Sequence, residues 1–275
     1  MNLRSHVIDK SQLDLKSEPI VKLRVNLNFL SDTGAIAQFT ARLFKELFRG
    51  KQEFEEFLRQ CYWVGYKSVP LVGTTAFIMG LVLTIQSRPT LVDFGAQSLL
   101  PAMVAVSLVR EISPVITALI CAGKIGSGMG AELGSMRVTE QIDAMDVSGT
   151  NPFKYLVVTR VMATTLMLPV LSSLSNAISL YGGYLGANIR GQVSWHLYWT
   201  QVFDALDFGD VVPSLIKTFF FGLAIGIVGC YKGYNSKKGT EGVGRSANSA
   251  VVVASLLVFV IDLIAVQISD LLGFT

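Results

Sequence analysis

The chain has 275 residues, is 51% hydrophobic and only 16% charged, and carries a formal net charge of +3. A soluble domain carries about 25% charged residues, so this composition, with a mean hydropathy of +0.50, argues against an ordinary soluble globule and for a membrane protein. The small basic surplus gives no support for nucleic-acid binding and fits basic loops beside a bilayer.

Residues 1–30 are charged throughout, include Asp9, Asp14 and Glu18, and lack an apolar core. No signal or transit peptide is expected there, and the first span is expected to act as its own insertion signal. Val21, Leu23, Val25, Leu27 and Phe29 alternate with Lys22, Arg24, Asn26 and Asn28, the period-two pattern of a half-buried strand. A lone strand is not stable in water; it either pairs with a partner's sheet edge or stays disordered. Residues 1–34 are set apart as an N-terminal extension.

The period then changes. Ile36, Phe39, Leu43, Phe44, Leu47 and Phe48 share one helical face, and Gly50 supplies a stop. This predicts an amphipathic helix lying in the membrane interface, against the alternative of a helix packed on protein. Phe54, Phe57, Leu58, Cys61 and Tyr62 continue a helical pattern, so residues 35–65 are expected to be interfacial or elbow helices.

Residues 66–275 are expected to hold five spans, at about 66–87, 98–122, 155–189, 211–231 and 247–272, because a span needs roughly 20 mostly apolar residues. The third contains Pro169, which predicts a tilt or a break. The fold class expected is therefore an all-α membrane protein: an interfacial helix plus five transmembrane helices. Basic residues concentrate in 42–59, in 123–154 (Lys124, Arg137, Lys154) and in 232–246, whereas 190–210 holds Arg190 against Asp204, Asp207 and Asp210. Positive loops stay in the cytoplasm, which places the N-terminus inside and the C-terminus outside. Trp195, Tyr198 and Trp199 then read as an interfacial aromatic belt on the outer side.

Between spans one and two, Leu91 and Phe94 sit in a short outer link and are candidates to line a lipid path, or else are plain interfacial anchors. Arg110 and Glu111 lie inside span two, where charges face a cavity or a partner. They point about 100° apart on a helix, so they do not pair simply with each other. Either they line a lipid headgroup cavity or they form structural ion pairs with Asp262 or Lys217.

Residues 123–146 read GKIGSGMGAELGSMRVTEQIDAMD. The glycines do not make a phosphate loop, because Lys124 follows the wrong glycine and an apolar helix precedes. Gly126, Gly130 and Gly134 recur every four residues, which permits close helix packing. Glu132, Arg137, Glu140 and Asp143 are too charged for lipid, and Ser135 is a candidate cap for a short helix over about 132–145. Met136, Val138, Ile142 and Met145 are candidates to seat in a partner's groove. The alternative is a solvated loop helix.

Cys61, Cys121 and Cys230 show no metal spacing and read as small apolar residues. His6 and His196 are far apart, and no nucleophile constellation lies on one membrane side. No metal, cofactor or catalytic site is expected in this chain.

The run Ser107–Met145, SLVREISPVITALICAGKIGSGMGAELGSMRVTEQIDAM, the dipeptide Asn151-Pro152 and the run Gly239–Val252, GTEGVGRSANSAVV, resemble the MlaE (YrbE) family of ABC-transporter permeases. The resemblance covers about residue 39 to the C-terminus. It implies an MlaE-type permease fold, a homodimer, an attached cytoplasmic ABC ATPase that holds ATP and magnesium, and a periplasmic MCE-domain ring, often with a small STAS-domain protein. It implies that phospholipid or a related lipid moves between the inner and outer membranes, with this chain in the inner membrane. It makes the segment near 132–145 a coupling helix, with Glu132, Arg137, Glu140 and Asp143 facing the ATPase. Leu91, Phe94, Arg110 and Glu111 are then expected at a lipid cavity formed mainly by spans one, two and five. Two other readings compete: an ion-coupled secondary transporter using Arg110, Glu111 and Asp262, and a membrane-embedded lipid enzyme. Five spans without an internal repeat disfavour the first; the missing nucleophile disfavours the second.

Overall fold

A computed structural model describes residues 34–49, 53–189, 191, 193–237 and 239–272. The proposed strand at 21–29 lies outside the described residues. Among the described residues all regular structure is helical. The chain divides into two compact units, residues 1–48 and 49–275. In the first, helix α1 (34–47) buries Phe39 and Leu43, one turn apart, and leaves Phe44 and Phe48 exposed.

The second unit holds five helices long and apolar enough to cross a membrane; the chain is a multi-pass membrane protein. The first span is a composite. Helix α2 (Phe54–Val64) breaks at Gly65, passes through a tight turn at Tyr66–Ser68, and continues as α3 (Val69–Asp93). A Cβ on Gly65 would lie 2.8 Å from the Met167 sulfur, so glycine lets the elbow approach the third span. Pro70 occupies the first turn of α3, where its missing N–H costs nothing. At the far end Gly95 takes φ +68, with Gly95 N–H donating to the Val92 carbonyl and Ala96 N–H to Leu91. This is a Schellman stop. It shortens the outer link and puts Leu91 inside the helix, not in the link where the sequence placed it.

Helix α4 spans Gln97–Val138, 42 residues, roughly 60 Å at 1.5 Å per residue. That exceeds the ~30 Å hydrocarbon core, so α4 continues well past the expected end at 122 and carries the glycine-rich stretch as helix. Two π-helical segments, Leu108–Ile112 and Ala122–Gly126, interrupt it. A short helix α5 (Gln141–Val147) follows. Asn151 Oδ1 then accepts the Lys154 N–H at 3.2 Å, and Pro152 opens the third span, α6 (Phe153–Ile189). The Asn-Pro pair is an N-cap followed by a first-turn proline. Helix α6 runs unbroken through Pro169, so of the tilt or break expected there the break does not occur.

The loop expected at 190–210 contains helix α7 (Trp195–Ala205), capped by Ser194, whose hydroxyl accepts the Leu197 N–H. Tyr198 is fully buried and donates to the Leu180 carbonyl at 3.0 Å; it is a core residue and not part of an aromatic belt. Burial pushes its phenol up, so it stays protonated and keeps that donor. Helix α8 (Phe208–Tyr234) starts at an Asp207/Asp210 capping box, and α9 (Thr240–Leu271) completes the bundle.

Helix α6 is the central post: 67% of its apolar window is buried, against 17% for α9. Glycines set the crossings. A Cβ on Gly80 would lie 1.8 Å from the Ser179 carbonyl oxygen, and one on Gly182 2.4 Å from that of Phe77, where α3 meets α6. A Cβ on Gly222 would lie 2.6 Å from the Thr164 carbonyl oxygen, where α8 meets α6. Without a hydrophobic drive between helices in lipid, such close backbone approach is a main source of packing energy.

Candidate functional site

Two charged regions stand out, one at the α4–α5 end of the bundle and one inside the spans toward the other end. The first is the end of α4 and its turn into α5. Gly130 faces Ala247 and Ser246 of α9, Gly134 faces Ser236 and Val243, and Gly126 lies under Gly229 of α8. The four-residue glycine spacing is therefore a packing stripe, as the sequence suggests. Ser135 does not cap anything: it lies inside α4, and its carbonyl accepts from the Thr139 hydroxyl at 2.9 Å. The helix breaks later, at Glu140, which takes φ +60. A left-handed residue other than glycine costs roughly 1 kcal/mol, so the turn is held by its surroundings. Arg137 at the end of α4 pairs with Asp143 in α5 at 2.5 Å, across the break. The expected helix over 132–145 is thus two helices joined by a clamped corner.

Helix α5 ends at Gly149, φ +80, in a second Schellman stop: Thr150 N–H donates to Met145 and Gly149 N–H to Asp146. Ile142 is buried in its own chain and anchors the helix, so it is not free to seat in a partner's groove. The outward face carries Gln141, Asp143, Ala144, Asp146 and Val147, the last 91% exposed. This is an acidic, projecting turn with one exposed aliphatic residue.

Glu132 is 57% exposed, yet its carboxylate lies 2.8 Å from the guanidinium of Arg160, whose side chain is 2% exposed. Arg160 also donates to the Leu156 carbonyl at 2.9 Å. The pair ties the end of α4 to the start of α6. Arg160 was absent from the sequence-based candidates, although an arginine inside an expected span is itself a signal.

The second region lies toward the other end. Lys217 of α8 is nearly buried and sits between Glu111 of α4, at 2.7 Å, and Asp262 of α9, at 2.9 Å. Lys217 and Asp262 are each about 13 Å along their helices from that end. Arg110 pairs with Asp210 at 2.6 Å. The π-helical turn Leu108–Ile112 carries both Arg110 and Glu111, and such turns frequently mark functional sites. Of the ion pairs weighed for Arg110 and Glu111, Glu111–Lys217 is present, whereas Arg110 pairs with Asp210 and Asp262 meets Lys217. Arg110, Glu111, Asp210 and Lys217 line a cleft of about 260 Å³ with Pro213, Ser214, Ala265 and Ser269. The space suits a headgroup or waters, not a whole lipid.

The structure does not bring Leu91 and Phe94 to this cleft. Leu91 packs on a buried cluster that includes Leu100, Val104, Tyr198 and Val202, whereas Phe94 is exposed at the helix end. Cys121 and Cys230 are buried and Cys61 is half-buried.

Comparison with known proteins places this arrangement. The family model "Permease MlaE" matches residues 57–268. A probable ABC transporter permease protein of Rickettsia typhi is 36% identical over 234 residues, 85% of this chain and 90% of the relative. A probable ABC transporter permease protein of Synechocystis is 36% identical over 221 residues, 80% of this chain and 84% of the relative. The intermembrane phospholipid transport system permease protein MlaE of Haemophilus influenzae is 32% identical over 220 residues, 79% of this chain and 84% of the relative.

Proposed function

Since the chain belongs to the MlaE family of ABC transporter permeases, we propose that it is the membrane half of an ATP-driven machine that moves phospholipid or a related lipid between the inner and outer membranes. ATP and magnesium sit on a separate cytoplasmic ATPase, and this chain holds no cofactor. It lies in the inner membrane with its N-terminus cytoplasmic and its C-terminus periplasmic. The clustering of basic residues in 123–154 and 232–246 supports that orientation. The printed role of the Haemophilus influenzae relative supports phospholipid as cargo.

The observation that carries the reading is the α4–α5 corner. Helix α5 projects acidic and aliphatic side chains, is locked to α4 by Arg137–Asp143, and α4 is locked to α6, α8 and α9 by Glu132–Arg160 and the glycine stripe. A push on α5 therefore reaches four spans through rigid contacts. An ATPase that grips α5 transmits its closure this way. The exposed apolar face of α9, with Val252, Leu256, Phe259 and Leu263, suits a second copy and supports a homodimer that enlarges the small charged cleft into a lipid cavity. A periplasmic MCE-domain protein, often with a STAS-domain protein, completes the assembly. An ion-coupled secondary transporter would use Arg110, Glu111 and Asp262, but each carboxylate already faces a cation.

Arg137→Ala or Glu140→Ala in the full chain, co-expressed with its ATPase, should cut ATPase co-purification roughly tenfold, the effect of one interface hot spot. Retained complex with unchanged lipid-stimulated ATP hydrolysis would remove the coupling assignment.

A further inference from the structure

We propose that the cleft between α2 and α4, at the α5 end of the bundle, binds the phosphate headgroup of an anionic glycerophospholipid from the surrounding bilayer. The inference rests on the membrane-spanning fold alone and stands whether or not an ATPase docks at α5.

The cleft has a volume of about 520 Å³ and is lined by Arg59, Gln60, Trp63 and Val64 on α2 and by Lys124, Gly128, Met129 and Glu132 on α4. A second hollow of about 500 Å³ shares Trp63 and Lys124 and adds Tyr66 and Lys67. Most charges here are already matched. Arg59 pairs with the buried Glu56 at 2.7 Å, and Glu132 pairs with Arg160. Two cations remain: among the described residues neither Lys67 nor Lys124 meets a carboxylate. The two residues touch through a backbone contact, and Lys67 also makes a ring contact. Lys124 donates from Nζ to the Lys67 carbonyl, and the Lys67 ammonium lies 3.1 Å above the centre of the Trp63 ring. Both lysines line the same hollow, so an anion entering it gains attraction from two cations at once.

The sequence keeps this space open. Lys124, Gly128 and Glu132 follow at four-residue intervals on one face of α4, and a Cβ on Gly123 or Gly128 would meet nothing within 4 Å. These two glycines therefore serve no packing, unlike Gly126, Gly130 and Gly134. The walls are amphipathic, with Trp63 and Tyr66 exposed beside the lysines. Aromatic rings with lysines at the end of a span mark headgroup depth, where the available anion is a lipid phosphate. A cationic choline would meet the lysines unfavourably, so the site selects anionic over zwitterionic headgroups.

The test is native mass spectrometry of the purified full chain with phosphatidylglycerol, phosphatidylcholine or inorganic phosphate. The wild type should retain phosphatidylglycerol in preference to phosphatidylcholine. The Lys67→Gln/Lys124→Gln double variant alters exposed side chains only, and should bind phosphatidylglycerol roughly thirtyfold more weakly. Gly128→Leu should produce a similar loss by filling the cleft, with an unchanged melting temperature. Equal binding by wild type and the double variant, or equal retention of the two lipids, would overturn the proposal. Displacement of the lipid by inorganic phosphate at matched concentration would reassign the site to a soluble anion and overturn it as well.

Discussion

Gly80→Ala should cost about 3 kcal/mol or more, at the upper end of overpacking effects, and lower the melting temperature in detergent by on the order of 10 °C. The new methyl group would sit 1.8 Å from the Ser179 carbonyl oxygen. That atom belongs to a helix backbone, so no rotamer change relieves the clash and α3 must move away from α6. Because Gly182 and Gly186 use the same crossing against Phe77 and Leu81, the shift strips contacts along three turns. Gly244→Ala is the matched control. It lies in α9 with nothing within 4 Å of the added Cβ, and should be neutral or stabilise by up to about 1 kcal/mol through helix propensity. Thermal unfolding of both variants checks the pair; an unaffected Gly80→Ala would mean that the α3–α6 crossing is not set by backbone contact.

Lys217→Met should destabilise the chain by about 3 kcal/mol. It keeps the apolar stem but leaves Glu111 and Asp262, both within 3 Å of the lost ammonium, facing each other without a cation. Removing one partner of a buried charge group is far more damaging than removing all of it. The triple variant Glu111→Gln/Lys217→Met/Asp262→Asn should therefore regain most of the lost melting temperature. Lipid transport separates structure from function here. If the charged cleft handles headgroups, the triple variant stays inactive although it folds; if the cluster only holds α4, α8 and α9 together, transport returns with stability.

Much of the fold was legible because the bilayer imposes a length on apolar runs, and five runs gave five spans. What hydropathy misreads is where a helix ends. The expected stop at 122 reflected the first charges after span two, but charge ends the hydrophobic match, not the helix; α4 continues because Gly126, Gly130 and Gly134 let it pack on α8 and α9. Pro169 was tolerated without a break because α6 is enclosed by neighbouring helices. Helix α7 was hidden in an aromatic loop, although Ser194 is a recognisable cap.

The charged sites divide in the same way. Lys217 was identifiable as a partner for Glu111, and Asp262 as a member of the same cluster, because intramembrane charges must find one another. Asp210 was not, since it read as a loop acid. Arg160 lay in plain view inside the third span, and its charge at that position was itself the signal that went unused. The corner at Glu140 could not be read at all: nothing in the local sequence announces a left-handed glutamate.

The central claim is that α5 is the surface gripped by a separate ATPase. A photo-cross-linking residue placed at Val147, which is 91% exposed, tests it in the full chain co-expressed with that partner, with Phe203 at the opposite end of the bundle as the comparison. Capture of an ATP-binding subunit from position 147 and not from position 203 is the expected result. No capture at 147, or equal capture at both positions, would contradict the account.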